Sequence, residues 1–145
     1  MSNIDPKKRA AERAVEYVRD GMTIGLGTGT TAYWGIQRIG SLVKEGLKIK
    51  AVSSSEHSSS LAKELNIPVL DINSILQIDL TIDGADEVDP QKNLIKGGGG
   101  ALLREKILAI HSKQYIIVVD ESKMVNQLGK FPLPVEIAAF ASRLT

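Results

Sequence analysis

Cysteine is absent from this sequence of 145 residues. The chain therefore forms no disulfide, offers no thiolate to a metal ion and contains no thiol nucleophile, and its composition suits a reducing compartment. Aromatic residues are also scarce, with one Trp, three Tyr and two Phe, so a hydrophobic core has to be built mainly from aliphatic side chains.

Long apolar runs and an excess of one charge are missing as well. The run at residues 115–119 is far shorter than the roughly 20 apolar residues that span a bilayer, and the first residues lack the apolar segment of a secretory signal. Eighteen basic and seventeen acidic residues leave a net charge of +1 at pH 7, which favours neither nucleic acid nor a membrane as partner. We expect a cytoplasmic protein. Any anion-binding site would have to come from a few neighbouring residues and not from the overall charge of the chain.

Predicted strands and helices alternate along the chain. Asp5 before Pro6 predicts the start of a first helix that ends at Gly21, and later helices are predicted after residues 27–31, 53–55 and 97–100. The predicted strands are residues 23–26, 49–52, 69–72, 78–83 and 115–119, the last fully buried, whereas residues 135–144 fit either a strand or a helix.

This alternation predicts an α/β fold in a single domain over residues 1–145. The expected architecture is a parallel sheet with helices on both faces. At this length a domain buries enough surface to form a real core. Ligands of such sheets bind at the carboxyl ends of the strands, so the candidate site residues are expected there.

The first candidate is the segment GTGTT at residues 27–31, directly after a predicted strand. Glycines let the backbone approach a ligand, threonine hydroxyls are hydrogen-bond donors, and the amides of the following helix point at an anion. The third glycine of a dinucleotide-binding motif and the Gly-Lys-Ser/Thr of a P-loop are missing. A phosphate site and a plain turn remain equally open here, and the serines at 53–55 are interpreted as helix caps.

The second candidate is the acidic segment that contains Asp83, Asp86 and Glu87. Crowded carboxylates raise the pKa of at least one of them, which suits proton transfer near neutral pH. The same residues could bind a divalent cation such as magnesium. A plain acidic turn is the third interpretation, and the segment alone favours it.

The third candidate combines Lys96, four glycines at residues 97–100 and Glu105 in the next helix. Amides of such a loop can stabilise an oxyanion beside a carboxylate base. In the non-functional alternative, Lys96 is a solvated charge and Glu105 interacts favourably with the dipole of its helix. That alternative does not explain four consecutive glycines, so the functional interpretation is favoured. Lys123 could pair with a phosphate, whereas His57 and His111 show no spacing that assigns them to metal binding or catalysis.

Five segments occur in the order and approximate spacing of the type A ribose-5-phosphate isomerases, and the chain resembles that family over nearly its whole length. They are GLGTGTT, AVSSS, TIDGADEVD, LIKGGGGALLREK and DESKMVNQLGKFPLPVEI. The resemblance implies a Rossmann-like α/β domain. It also implies interconversion of D-ribose 5-phosphate and D-ribulose 5-phosphate through a cis-enediolate, a step of the non-oxidative pentose phosphate pathway. No metal or organic cofactor is implied, and a homo-oligomer, dimer or tetramer, is expected.

The resemblance also assigns roles to residues. Glu105 is the expected base, Lys96 and the following glycines hold the developing oxyanion, and Asp83 assists ring opening. The expected substrate contacts are Thr28, Gly29, Thr30, Thr31, Asp83, Gly84, Ala85, Asp86, Lys96, Gly97, Gly98, Gly99, Lys123 and, outside a dense motif, Lys7.

Family members continue beyond FPLPVEI into a small α+β domain, which is absent from this chain. We therefore interpret the chain as a truncated form or a catalytic-domain fragment that relies on self-association to cover an exposed edge. The alternatives are a non-catalytic sugar-phosphate-binding domain, a truncated inactive isomerase, or another enzyme of the fold, namely an amino-sugar phosphate deaminase or an acyl-CoA transferase. The joint presence of Asp83, Lys96 and Glu105 argues against the binding domain. The deaminase would need a ring-opening histidine, which neither His57 nor His111 supplies, and the phosphate-binding pattern favours the isomerase over the transferase.

Overall fold

The computed structural model describes residues 5–144. Residues 1–4, which belong to the segment compared with a secretory signal, and Thr145 lie outside that range. Within it, the helices are α1 (Pro6–Val15), α2 (Thr30–Lys44), α3 (Glu56–Glu64) and α4 (Leu102–Ile110). The strands are β1 (Thr23–Leu26), β2 (Lys50–Ser53), β3 (Ile78–Asp83), β4 (Glu87–Val88), β5 (Leu94–Ile95) and β6 (Ser112–Ile117).

Strands β1, β2, β3 and β6 form a parallel sheet in the order β2-β1-β3-β6. In its register Leu26 pairs with Ile82, and Asp83 pairs with Ile117. The short strands β4 and β5 form a separate antiparallel pair. Because the four main strands are parallel, the segments that follow β1, β2 and β3 meet at one edge of the sheet.

Helices cover both faces of the parallel sheet, as predicted. On one face, Leu26 and Ile82 of the strands lie in a buried aliphatic cluster with Ile36 of α2. On the other face, Leu108 of α4 packs with Val52 of β2, whose neighbour Ala51 belongs to the first cluster. Each such side chain contributes about 1.5–3 kcal/mol when it is buried, and the core is aliphatic, as the scarcity of aromatic residues requires.

Helix starts follow the predicted local chemistry. The Asp5 side chain caps α1 by accepting a hydrogen bond from the Lys7 amide at 2.9 Å, with Pro6 in the first turn. Ser55 caps α3 and accepts from the Ser58 amide at 3.2 Å. Helix α1 ends at Val15, earlier than predicted. The amides of residues 16–18 bond to the carbonyls three residues before them, which is the pattern of 3-10 turns and not of an α-helix.

Two predicted strands differ from the structure. Of residues 69–72, Val69 forms an isolated bridge to Ala51, and the chain then enters a short 3-10 turn, Ile72–Ser74, capped by the Asp71 side chain. The apolar run at 115–119 is not a fully buried strand, because β6 lies at the edge of the sheet and pairs with β3 alone. Tyr115 is consequently only half-buried.

Residues 135–138 are irregular and residues 139–144 form a bend and turns, so the prediction of a strand or helix there is wrong. Val135 and Phe140 are 71% and 90% exposed. All of residues 135–144 are exposed, so burial does not favour a regular element there. Between residues 5 and 144, no helix combines the length and the apolar character that crossing a membrane requires.

Candidate active site

The carboxyl ends of the strands open onto a cavity of about 210 Å³. Its walls are the turn after β1, the turn after β3, the glycine loop before α4 and the segment that carries Lys123. All the predicted site residues line this cavity except Asp83 and Lys7, and Ala101, which was not predicted, lines it as well. Residues far apart in the sequence are thus brought to one small, polar cavity.

Gly27 allows the turn after β1 to pack directly on β3. A Cβ atom at this position would lie 2.2 Å from Oδ1 of Asp83 and 2.6 Å from its Cα. Because a backbone atom cannot rotate away, only glycine fits here. The close approach lets the Thr28 amide donate a hydrogen bond to Oδ1 of Asp83 at 3.1 Å.

Asp83 is 1% exposed, and its carboxylate accepts four hydrogen bonds. Oδ1 accepts from the amides of Thr28 at 3.1 Å and Gly84 at 2.8 Å. Oδ2 accepts from Lys96 Nζ at 3.0 Å and from the Tyr115 hydroxyl at 3.2 Å. These donors occupy the roughly four acceptor positions of a carboxylate, so Asp83 faces the protein rather than the cavity. Direct contact between Asp83 and a sugar stays a prediction.

Lys96 links the two buried carboxylates of the site. Its ammonium group donates to Oδ2 of Asp83, to Oε1 of Glu105 at 3.2 Å and to the Gly84 carbonyl. An ammonium group has three donors, so all of them are used within the protein. Lys96 is therefore held at the cavity wall with a fixed orientation.

Glu105 is a buried carboxylate that lines the cavity. It is 5% exposed, and its Oε2 atom has no hydrogen-bond partner among residues 5–144. Burial and, secondly, the negative charge of Asp83 raise the pKa of Glu105, and they outweigh the opposing effect of Lys96. A buried carboxylate with a raised pKa and one free oxygen has the properties of a general base.

Tyr115 is a site residue that the sequence analysis missed. Burial and the charge of Asp83 raise the pKa of its hydroxyl, so the phenol remains a neutral donor. In the sequence it opens an apolar run and resembles a core residue. The pairing of Thr81 with Tyr115 in adjacent strands carries the side chain to Asp83, and that pairing is visible only once strand order is known.

Another part of the cavity wall, the start of α2, is suited to an anion. Helix α2 begins after Gly29, whose φ is +101°, and no side chain in the described chain caps its first turn. The first amides of α2 are therefore available to an anion, as are the hydroxyls of Thr30 and Thr31. Lys123 lines the same cavity, and Lys7 Nζ donates to the Thr30 hydroxyl at 3.1 Å.

Residues 50–145 match the family model described as ribose 5-phosphate isomerase A (phosphoriboisomerase A). This chain belongs to that family. It is 58% identical over 139 residues to the ribose-5-phosphate isomerase A of Bacillus mycoides (strain KBAB4), and the match covers 96% of this chain and 63% of that protein. The chain spans about three fifths of the length of the curated relatives it matches.

Solved structures agree with the family assignment. Ribose 5-phosphate isomerase A from Methanocaldococcus jannaschii is similar with a TM-score of 0.83 and 40% identity, over 89% of this chain and 58% of that one. A D-ribose-5-phosphate isomerase in complex with phospho-erythronic acid is similar with a TM-score of 0.84 and 42% identity, over 88% of this chain and 57% of that one. The predicted family and α/β fold are confirmed, and these relatives do not favour the alternative of a non-catalytic binding domain.

In this member of the ribose 5-phosphate isomerase A family, the serines after β2 do more than cap α3. Ser54 is buried, donates to the Leu26 carbonyl at 3.1 Å and lies 2.6 Å, oxygen to oxygen, from the Thr28 hydroxyl. Ser58 donates to the Gly27 carbonyl at 2.6 Å. The serines therefore hold the turn that lines the cavity, a role the sequence analysis did not assign.

The acidic segment after β3 does not form a crowded group of three carboxylates. Asp86 accepts from the Gly98 amide at 2.8 Å, and the buried Glu87 accepts from the amides of Gly129 and Lys130. The carboxylate that lies near Asp83 is instead Glu105, which the sequence analysis placed in another motif. Among residues 5–144, no group of three or more His, Asp or Glu side chains is arranged to hold a metal ion.

Proposed function

We propose that this chain carries the active site for interconversion of D-ribose 5-phosphate and D-ribulose 5-phosphate, and that residues 1–145 form one catalytic domain. The observation that carries the proposal is that Glu105, whose Oε2 atom has no hydrogen-bond partner among residues 5–144, lines one cavity together with the uncapped start of α2. A base and an anion site around one cavity match a short phosphorylated sugar.

The phosphate binds at the start of α2. Backbone amides and the hydroxyls of Thr30 and Thr31 donate to its oxygens, and the helix dipole favours its charge. Lys123 supplies a positive charge in the cavity wall. Lys7 does not line the cavity, but it is hydrogen bonded to the Thr30 hydroxyl and supplies a second positive charge near the phosphate. Asp86 and the backbone at residues 84–85 contact the sugar hydroxyls.

Glu105 transfers the proton. Oε2 removes the proton from C2 of the open-chain aldose, and the electron pair of that bond moves through C1 onto the carbonyl oxygen to form a cis-enediolate. The positive charge of Lys96 and the amides of Gly97 and Gly99 stabilise this oxyanion. The hydroxyl proton moves from O2 to O1, and Glu105 returns its proton to C1, which yields the ketose. The reaction is then balanced without any co-reactant.

Asp83 acts through Lys96 in this scheme. Its four acceptor positions are occupied within the protein, and Lys96 is one of the donors. Asp83 thereby holds the ammonium group beside Oε1 of Glu105, and its negative charge strengthens Glu105 as a base.

Glu105→Gln tests the proposal. The substitution keeps the shape of the side chain and removes the base, so turnover of ribose 5-phosphate should fall by about 10³-fold or more while binding of the sugar phosphate persists. Glu64→Gln, at an exposed position of α3, is the matched control and should keep full turnover. Both variants are assayed with a chelator present.

Turnover that survives in Glu105→Gln would remove Glu105 from the mechanism. An unsubstituted chain that is folded and binds ribose 5-phosphate without turning it over would contradict the proposed activity for this length of chain. Turnover that is abolished by the chelator would contradict the cofactor-free scheme.

We further propose a pentose 5-phosphate as the small-molecule partner, a homo-oligomer as the assembly and the cytoplasm as the location. The net charge of +1 supports the absence of nucleic acid and membrane partners. Exposed apolar side chains on α4 and the unpaired side of β6 support self-association.

A further inference from the structure

Thr28, in the turn after β1, lines the cavity, yet the proposed mechanism does not use its side chain. Its backbone amide donates to Oδ1 of Asp83 at 3.1 Å, so this amide is not available to a ligand. Its carbonyl oxygen would lie 3.9 Å from a Cβ atom on Gly84, in the turn after β3. Thr28 is therefore next to the segment that is proposed to contact the sugar hydroxyls.

The hydroxyl proton of Thr28 is engaged by Ser54. The oxygen atoms of the two hydroxyls lie 2.6 Å apart, and Oγ of Ser54 also lies 3.1 Å from the Leu26 carbonyl oxygen. A carbonyl oxygen cannot donate, and a serine hydroxyl has one proton. Both contacts are hydrogen bonds only if Ser54 donates to Leu26 and Thr28 donates to Ser54. Because Ser54 is fully buried, bulk water does not compete for this arrangement.

The Thr30 hydroxyl, at the start of α2, has the opposite arrangement. Lys7 Nζ lies 3.1 Å from its oxygen, and an ammonium group can only donate. The Thr30 hydroxyl therefore accepts from Lys7 and keeps its own proton for a ligand. The oxygens of a phosphate dianion only accept hydrogen bonds. Thr30 can donate to them, whereas Thr28 has neither an amide nor a hydroxyl proton left to donate.

We propose that the Thr28 hydroxyl accepts a hydrogen bond from a hydroxyl group of the sugar, and that Ser54 fixes this role by accepting the Thr28 proton. A hydroxyl oxygen whose proton is engaged still has acceptor capacity, which a sugar hydroxyl can use and a phosphate oxygen cannot. Thr28 thus favours a phosphorylated ligand that carries hydroxyl groups over phosphate alone. The inference rests on the proposed function for the identity of the sugar, but it concerns binding and does not require turnover.

Isothermal titration of the unsubstituted chain and of Thr28→Val with ribose 5-phosphate and with inorganic phosphate tests the inference. Valine keeps the shape of threonine and removes the hydroxyl. The Kd for ribose 5-phosphate should rise by about fivefold, as for one lost hydrogen bond, whereas the Kd for inorganic phosphate should stay the same. Thr30→Val is the matched comparison and should raise both Kd values by a similar factor. Thr28→Ser keeps the hydroxyl and should bind both ligands as the unsubstituted chain does.

An equal rise of both Kd values in Thr28→Val would overturn the inference, because Thr28 would then either donate to the phosphate or only hold the turn. Unchanged Kd values for both ligands would overturn it as well. Thr28→Ala removes the same hydroxyl with a smaller side chain and decides the question if Thr28→Val does not fold. A chain that binds ribose 5-phosphate without turnover would contradict the proposed function and leave this comparison intact, whereas a chain that does not bind the sugar phosphate would overturn the inference.

Discussion

Glu105 illustrates at the level of one residue how a site stores free energy. An ionised carboxylate that is 5% exposed and has one oxygen without a partner is costly to bury. Lys96 offsets part of that cost, and the remainder appears as the raised pKa of Glu105. The property that suits the residue to proton transfer therefore also destabilises the folded chain.

Removal of the Glu105 charge should make stability less dependent on pH. The pKa of Glu105 is raised from its ordinary value of 4.5, so the folded state binds the proton more tightly than the unfolded state. Below pH 4.5 the group is protonated in both states and costs nothing, whereas above the raised pKa the full cost of ionisation is present. Glu105→Gln should therefore gain stability over the unsubstituted chain as pH rises from 4 to 8.

Urea unfolding at several pH values measures this difference in free energy. Glu64→Gln, on the exposed side of α3, should show no such trend. A variant Glu105→Gln that loses stability relative to the unsubstituted chain as pH rises would show that Lys96 outweighs burial at this position.

The site residues were predictable to different degrees, and for a physical reason. Lys96 and Glu105 stand beside glycines that no regular element explains, so the local sequence indicates them. The Tyr115 hydroxyl donates a hydrogen bond to Asp83, which is 32 residues away in the sequence. The residues next to Tyr115 in the sequence do not indicate that contact.

At the scale of elements, two helices cooperate at the anion end of the cavity. Helix α2 presents an uncapped first turn, and α1 brings Lys7 to the Thr30 hydroxyl at 3.1 Å. The next residue, Lys8, lies over the Trp34 ring at 5.5 Å from its centroid and 3.9 Å from the Glu12 carboxylate. Two neighbouring lysines of one helix thus have different surroundings.

Lys7→Met should weaken phosphate binding while Lys8→Met should not. Loss of one charge-assisted contact costs about 1.4 kcal/mol, which corresponds to a tenfold rise in the KM for ribose 5-phosphate and in the Kd for inorganic phosphate, with kcat nearly unchanged. Isothermal titration with inorganic phosphate and steady-state kinetics provide both values. If Lys7→Met and Lys8→Met raise the KM and the Kd equally, the positive charges of α1 act on the phosphate without a specific role for Lys7.

At the scale of the whole molecule, apolar side chains remain exposed on α4. Leu103 and Ile110 are 71% and 65% exposed, and the neighbouring β6 forms an edge of the sheet. A contiguous apolar surface beside an unpaired edge favours contact with another chain. The proposed homo-oligomer would cover it with a second copy.

The double substitution Leu103→Ser and Ile110→Ser should therefore weaken self-association. Each lost side chain removes about 1.5 kcal/mol or more of apolar burial, so the dissociation constant should rise by roughly a hundredfold or more. Sedimentation velocity over a range of concentrations measures the change. Leu76→Ser, at a leucine that is 97% exposed elsewhere, should leave the association unchanged. A chain that is monomeric at every concentration would contradict the proposed oligomer.

The amino-acid sequence alone determined what depends on neighbours within a few positions. Asp5 and Pro6 start α1, Ser55 starts α3, the glycines mark the turns, and alternating strands and helices predict the parallel sheet with helices on both faces. The five family segments rest on the same local information, and they identify the family before any contact is known.

Tertiary structure decided what depends on strand order and register. It places β6 at the sheet edge, so a strand predicted to be buried is half-exposed, and it leaves residues 135–144 exposed and without a regular element. It separates the carboxylates of one acidic segment and joins Asp83 to Glu105 through Lys96. These outcomes follow from packing between distant segments, where the free energy of a hydrogen bond or a buried charge is set by neighbours that the local sequence does not contain.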